Sequence, residues 1–254
     1  MAVDETLTEV VASGASGPVL RVYRWHGRWL SIGISQSIGD VDQFACEQAG
    51  VGVIRRSSGG TSVLHTHQIG WSLTLPSAHP LAPGDIIQSY QLQSEIALSI
   101  CRLLGIEAVA ADIETARLPI SDPLLAIACF GSLAPFEIVA RDSGKKLIGW
   151  GQVRRRGVVM HHGVMSLRFH PSELANLLKT DRSRLAELLS ARVTDVVSLT
   201  KSSITFASIA HAIVKAHHAV SGEICFGTLS EPERRRSRQI ARERFLDTSW
   251  TARR

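Results

Sequence analysis

From residue 19 to 168 the chain reads as short β-rich runs, interrupted by one long amphipathic stretch. After residue 171 it reads as helices. Strands and helices that segregate along a chain in this way cannot build the alternating strand–helix units of a parallel sheet, so the pattern points to an α+β domain. The β-rich part holds VLRVYRW and RWLSIGI, broken at His26-Gly27 as a hairpin, then VGVIRR and the single long run SVLHTHQIGWSLTLP closed by Pro76. Ser77 to Pro83 is a loop. FEIVA, KLIGWGQV and GVVMHHGV follow as a meander, with turns at Asp142-Ser143-Gly144 and at Gly157, and the whole segment 106–168 is read as strands.

Helical periodicity is clearest from Asp85 to Leu104, where Ile86, Ile87, Tyr90, Ile96, Leu98, Cys101 and Leu104 share a face and Gly105 stops the helix. A first helix covers residues 2–12. Asp40 is the expected cap of a second helix running to Gly50. The last third predicts helices over Pro171–Leu178, Ser183–Leu189 and Ser203–Val220, then one from Ser230, where Glu233 completes a capping box around Pro232.

At 254 residues, 44% hydrophobic and 20% charged, the chain is long enough for a large core and too apolar to be disordered. No apolar run approaches the ~20 residues that span a bilayer, and the acidic N-terminal stretch MAVDETLTEVV is unlike a secretion signal. Four cysteines, at 46, 101, 129 and 225, form no CxxC pair and no zinc spacing. A cytoplasmic protein with reduced thiols, no metal site and no membrane association is expected. The charge of +5 suits an acidic partner. The arginine runs lack the aromatic interleaving of nucleic-acid modules, so nucleic acid is not the expected one.

Three stretches carry more chemistry than packing requires. In Arg55-Arg56-Ser57-Ser58-Gly59-Gly60-Thr61, two glycines after a strand let backbone approach a ligand, and two arginines beside them can hold a carboxylate or phosphate. A glycine hairpin with solvated arginines is the alternative. In Gly144-Lys145-Lys146-Leu147, strand alternation turns one lysine inward, where burial makes it chemically useful, unless both face solvent. Cys129, in a loop-like stretch before FEIVA, is either a small core residue or a nucleophile activated by a neighbouring cation. Cys46 and Cys101 sit on apolar helix faces and read as core. His161 and His162 point to opposite sides of a strand and cannot chelate together.

Taken in order, SIGISQ (31–36), RRSSGGTSVLHTHQIGWS (55–72), ACFGSLAPFEIV (128–139), GKKLIGWGQ (144–152) and HHGVMSL (161–167) resemble the lipoate and biotin protein ligase superfamily. Within it they are closest to the cysteine-dependent octanoyltransferases of lipoate biosynthesis. The resemblance spans roughly residues 1–245. It implies a mixed, mostly antiparallel sheet flanked by helices, with residues 1–250 as a single catalytic domain and no separate accessory domain. Cys129 would carry the acyl thioester and Lys146 would assist it. Arg56, Ser58, Gly59, Gly60, His65, Gly149, Gln152, His162 and Gly163 would line the acyl site.

The implied donor is acyl carrier protein. The implied acceptors are lipoyl-domain proteins, namely the glycine cleavage H protein and the acyltransferase subunits of 2-oxoacid dehydrogenases. No cofactor is needed for thioester exchange. ATP and Mg enter only if the chain is instead a lipoate ligase, with Lys146 on an acyl-adenylate and Cys129 incidental. A non-catalytic acyl-binding homologue is the third reading. Ligases typically carry Asp after the histidine and Gly-Asn beyond it, where this chain has Thr66 and Gln68-Ile69. The chain departs from the family at Thr61, at Thr66 and at Trp150-Gly151, which replaces a small Ser-Ala. A Trp150 ring turned inward would narrow the acyl channel.

Overall fold

The computed structural model describes residues 1–118, 120, 122–200 and 204–253. Its strands are β1 (Val19–Tyr23), β2 (Arg28–Ile32), β3 (Val51–Arg55), β4 (Val63–His65), β5 (Gln68–Pro76), β6 (Ala108–Ala110), β7 (Ile138–Ala140), β8 (Lys146–Arg155) and β9 (Val158–Ser166). The helices are α1 (Ala2–Ala12), α2 (Gln43–Gln48), α3 (Ile86–Leu103), α4 (Ile113–Arg117), α5 (Pro171–Ala175), α6 (Arg182–Arg192), α7 (Val196–Leu199), α8 (Phe206–Ser221), α9 (Glu231–Ile240) and α10 (Thr248–Ala252). One sheet runs β1-β5-β9-β8-β7-β6 with antiparallel neighbours throughout. A smaller sheet runs β3-β2-β4 and contains the parallel pair β2/β3. This is the mixed, mostly antiparallel α+β architecture expected from the sequence.

Among the described residues, two large cores dominate. On one face of the large sheet, Ile69, Trp71, Ile148 and Met165 meet Ile96 and Ile100 of α3 and Ile209 and Ile213 of α8. The small sheet buries Leu30 and Ile32 against Leu174 and Leu178 around α5 and Leu185 and Leu189 of α6. Each fully buried large aliphatic side chain contributes about 1.5–3 kcal/mol relative to exposure. Leu125, Ala128 and Phe130 belong to the second core, so the turn bearing Cys129 is anchored in it on both sides of the cysteine.

Several sequence expectations are corrected. The runs on either side of His26-Gly27 do not pair as a hairpin, because each serves a different core: Leu20 and Val22 of β1 pack toward α3 and α8, whereas Leu30 and Ile32 of β2 lie between the small sheet and α5/α6. The run 62–76 likewise splits into β4 and β5, in different sheets. Asp40 does not cap α2. Val41 bridges to Leu178 in extended conformation, which delays the helix until Asp42, whose carboxylate accepts from Ala45 N at 2.9 Å. The same bridge ends α5 before Leu178, since Asp42 N donates to Leu177 O. Segment 106–168 is not all strand, for it contains α4 and the 3-10 turns Pro123–Ile127 and Cys129–Gly131. In α3 the first-turn Ile86 and Ile87 stay exposed, while Ile96, Ala97, Ile100 and Cys101 form the buried face.

The capping box at Ser230 and Glu233 is present as read, with Glu233 N on Ser230 Oγ and Ser230 N on Glu233 Oε2. The helix expected from Ser203 is seen as α8, capped by Thr205; Ser203 itself lies outside the described residues.

Candidate active site

A cavity opens between the large sheet, the small sheet and the Cys129 turn. Cys129 is held there by a short parallel bridge between Ser62 and Ala128: Ser62 N donates to Ile127 O at 3.1 Å and Cys129 N to Ser62 O at 2.9 Å. Gln36, from the SIGISQ segment, ties both strands of this bridge by donating to Ser62 Oγ and Ile127 O. With Ala128 and Phe130 pulled into the core, Cys129 is left half-buried at the cavity. Gly131 lets the turn close, since a Cβ there would lie 2.6 Å from Leu125 O. Across the cavity stands Gly60, in a left-handed conformation (φ +83°), where a Cβ would come within 3.7 Å of the Cys129 sulfur. Cys46 and Cys101 are buried instead, and burial pushes their thiols up to about 11 and about 12, outside the reactive range.

Strand alternation separates the two lysines as expected. Lys145 is half-buried and turns outward to reach Ser190 O, while Lys146 is 3% exposed and faces the cavity. Its ammonium has three N–H groups and three acceptors: Glu137 Oε2 at 2.6 Å, Ser132 O at 3.0 Å and Cys129 O at 3.2 Å. Glu137 is also buried. Its Oε2 accepts from Ala134 N at 2.8 Å and its Oε1 from Trp150 N at 3.3 Å. A buried ion pair holds only when such further hydrogen bonds satisfy both ions, as they do here. The pair therefore sets a fixed cation beside the cysteine turn, able to exchange a backbone carbonyl for a developing oxyanion.

The arginines of the glycine-rich loop act on the protein itself rather than as a ready anion clamp. Arg56 donates to Gly59 O, Thr61 O, Ser31 O and Ser31 Oγ, shaping the loop around its own guanidinium. Arg55 is fully buried and ties Gly33 O and Gln36 O to Thr251 O of α10. His65 stacks on Trp25 at 4.1 Å and bonds Gln68 Oε1 and Ser31 Oγ. Burial, with Arg56 nearby, lowers it to about 3. The same causes lower His162 to about 4, so both imidazoles are neutral near pH 7. Neutral His65 then donates from Nδ1 to Gln68 and accepts the Ser31 hydroxyl at Nε2. His162 faces the cavity beside Ser58 Oγ (3.2 Å), whereas His161 lies on the opposite face and bonds Ser89 and the side-chain amide of Gln152, a residue that also borders the cavity.

Residues 1–218 match the family model described as "Lipoyl protein ligase A/B catalytic domain". The chain belongs to the lipoyl protein ligase A/B catalytic domain family. A relative named octanoyltransferase LipM, from Kyrpidia tusciae, is 32% identical over 100% of this chain and 93% of its own length. Another of that name, from Macrococcus caseolyticus, is 32% identical over 84% and 78%. Among solved structures, the bipartite lipoate protein ligase of Thermoplasma acidophilum superposes with TM-score 0.79 at 20% identity, covering 99% of this chain and 91% of that one.

Within this lipoyl ligase A/B domain, Cys129, Lys146, Arg56, Ser58, Gly59, Gly60, His65, Gly149, Gln152 and His162 all border one cavity. Gly163 is not among its lining residues. It lies on the helix side of β9, where a Cβ would meet the Trp71 ring at 2.2 Å. Trp150 packs against the helix-side core and also borders the cavity, and its neighbour Gly151 leaves the room that the His162 ring fills, a Cβ there lying 2.7 Å from Nε2.

Sequence reading missed Glu137, although a charge inside the apolar run FEIVA is a signal in itself, because such a group is rarely buried without a partner. It also missed Phe245, which reaches the cavity wall from the far end of the chain.

Proposed function

We propose that this protein is an octanoyltransferase that moves an octanoyl or lipoyl group from acyl carrier protein to a lysine of a lipoyl domain through a thioester on Cys129. The observation that carries the reading is a half-buried thiol whose own carbonyl is bound by a buried, ion-paired lysine at a cavity shared with the glycine-rich loop. The Cys129 thiolate attacks the donor carbonyl, Lys146 takes the oxyanion in place of one backbone carbonyl, and the bond from the acyl carbon to the carrier sulfur breaks. The carrier thiolate leaves with the proton that Cys129 gave up. The acceptor amine then attacks the enzyme thioester, loses a proton, and expels Cys129 as an amide forms. Thioester exchange followed by aminolysis runs downhill without ATP. Oxyanion donors of this kind typically contribute about 10²–10³ in rate.

Residues 1–250 act as one catalytic unit in this reading, and a cytoplasmic setting suits the free thiol at position 129. No helix among the described residues is long and apolar enough to cross a membrane. The deciding assay compares octanoyl carrier protein without ATP against free octanoate with ATP and Mg, each with a lipoyl-domain acceptor. Acceptor octanoylation in the first mixture alone is the expected result. Turnover confined to the second would make the protein a ligase.

A further inference from the structure

The helix that begins at Ser230 and runs on through a π-helical turn at Ala241–Phe245 carries six arginines between positions 234 and 244. They divide by face. Toward the protein, Arg236 makes a two-pronged bond to Glu9 of α1 and Arg244 reaches Glu5, while Ile240 and Phe245 are buried beside them. Arg234 leans on Glu231. Facing solvent, Arg235, Arg238 and Arg242 form a row with Gln239 and Glu243 along a shallow groove, ending at Leu246, which is 60% exposed. Among the described residues Arg238 and Arg242 have no carboxylate partner. Like charges four apart on a helix weaken it, and inward packing does not need this row.

We infer that the Arg235–Arg238–Arg242 row is the docking surface for the acidic protein that delivers the acyl group, with Leu246 as an apolar contact at its end. This rests on the octanoyltransferase reading. The charge pattern selects a partner presenting carboxylates along about the same 10 Å length, the span from Arg235 to Arg242 at a rise of about 1.5 Å per residue. The position selects the donor over the acceptor. Phe245, on the inward side of the same segment, forms part of the wall of the cavity that Cys129 also lines, so a protein seated on the outer row is separated from that cavity by at least the thickness of a helix, about 10 Å. An acyl group on a long flexible prosthetic arm crosses that distance. A lysine side chain does not, so its domain must sit at the cavity mouth itself.

The test uses the full chain and follows acyl-enzyme formation by intact mass, from octanoyl carrier protein and from an uncharged small octanoyl thioester. In the Arg238→Glu/Arg242→Glu variant the carrier concentration giving half-maximal rate is expected to rise about tenfold or more, and its salt dependence to weaken, with the small thioester used as by wild type. Arg238→Gln/Arg242→Gln should give a smaller shift in the same direction. An unchanged carrier dependence overturns the inference, as does an equal loss with both donors. If wild type forms no acyl-enzyme even with the small thioester, the octanoyltransferase reading itself fails.

Discussion

Lys146 grips Cys129 by the cysteine's own carbonyl, Nζ to O at 3.2 Å, while its shortest bond, 2.6 Å, is to Glu137. The Cys129 turn, the cation and the countercharge thus form one connected unit, and a change to any one of them is felt by the others.

Glu137→Gln preserves the size of the side chain and a carbonyl for Ala134 N but leaves the Lys146 ammonium buried without a countercharge. Breaking a buried pair from one side costs about 3–5 kcal/mol, so urea unfolding should show a loss of that order together with slowed acyl-enzyme formation. Adding Lys146→Met should recover part of the stability and none of the activity. Additive losses in the double variant would mean that the two charges are not coupled.

Two glycines of neighbouring strands should separate stability from chemistry. Gly163→Ala drives a methyl into the Trp71 ring and should destabilise by about 1–3 kcal/mol through overpacking, with turnover per folded molecule retained. Gly149→Ala places a methyl 3.1 Å from Lys146 Cε and 3.3 Å from Glu137 Oε1. The lysine must shift by a few tenths of an ångström, and acyl-enzyme formation should slow on the order of tenfold, since small misplacements of catalytic groups are costly. Thermal melts paired with single-turnover rates read both effects. Equal behaviour of the two variants would contradict the placement of Gly149 at the site.

Acid should unfold the protein through its buried histidines. His65 and His162 sit at about 3 and about 4 when folded and near 6.5 when unfolded. The unfolded chain therefore binds more protons throughout that interval. Stability from these groups is complete above about pH 6.5 and is lost as pH falls toward 4, each histidine adding about 1.4 kcal/mol per pH unit to the slope. Urea titrations from pH 7.5 to 4.5 should be one proton shallower for His162→Gln than for wild type. Parallel curves would show that His162 is not held neutral.

The parts legible in the sequence are those fixed by local chemistry. The Ser230 capping box, the inward turn of Lys146 against outward Lys145, and the opposed faces of His161 and His162 follow from the periodicity of helix and strand. What escaped depends on tertiary pairing. Nothing near His26-Gly27 says that Leu20 and Leu30 serve different cores, and nothing near Asp40 says that Val41 will bridge Leu178. The arginines misled for a related reason: Arg55 and Arg56 look like anion ligands until the carbonyls of Gly33, Gln36, Gly59, Thr61 and Thr251 gather around them. Phe245 and Cys129 meet at one cavity only because α9 packs on α1, a contact with no local signature.

Intact mass of the enzyme after incubation with octanoyl carrier protein, in the absence of acceptor and ATP, tests the covalent step most directly. Wild type should gain one octanoyl group, removable by hydroxylamine and located by fragmentation on Cys129, and Cys129→Ala should gain none. An octanoyl adduct that persists in Cys129→Ala, or a wild-type enzyme that turns over while no adduct ever forms, would contradict transfer through this thiol.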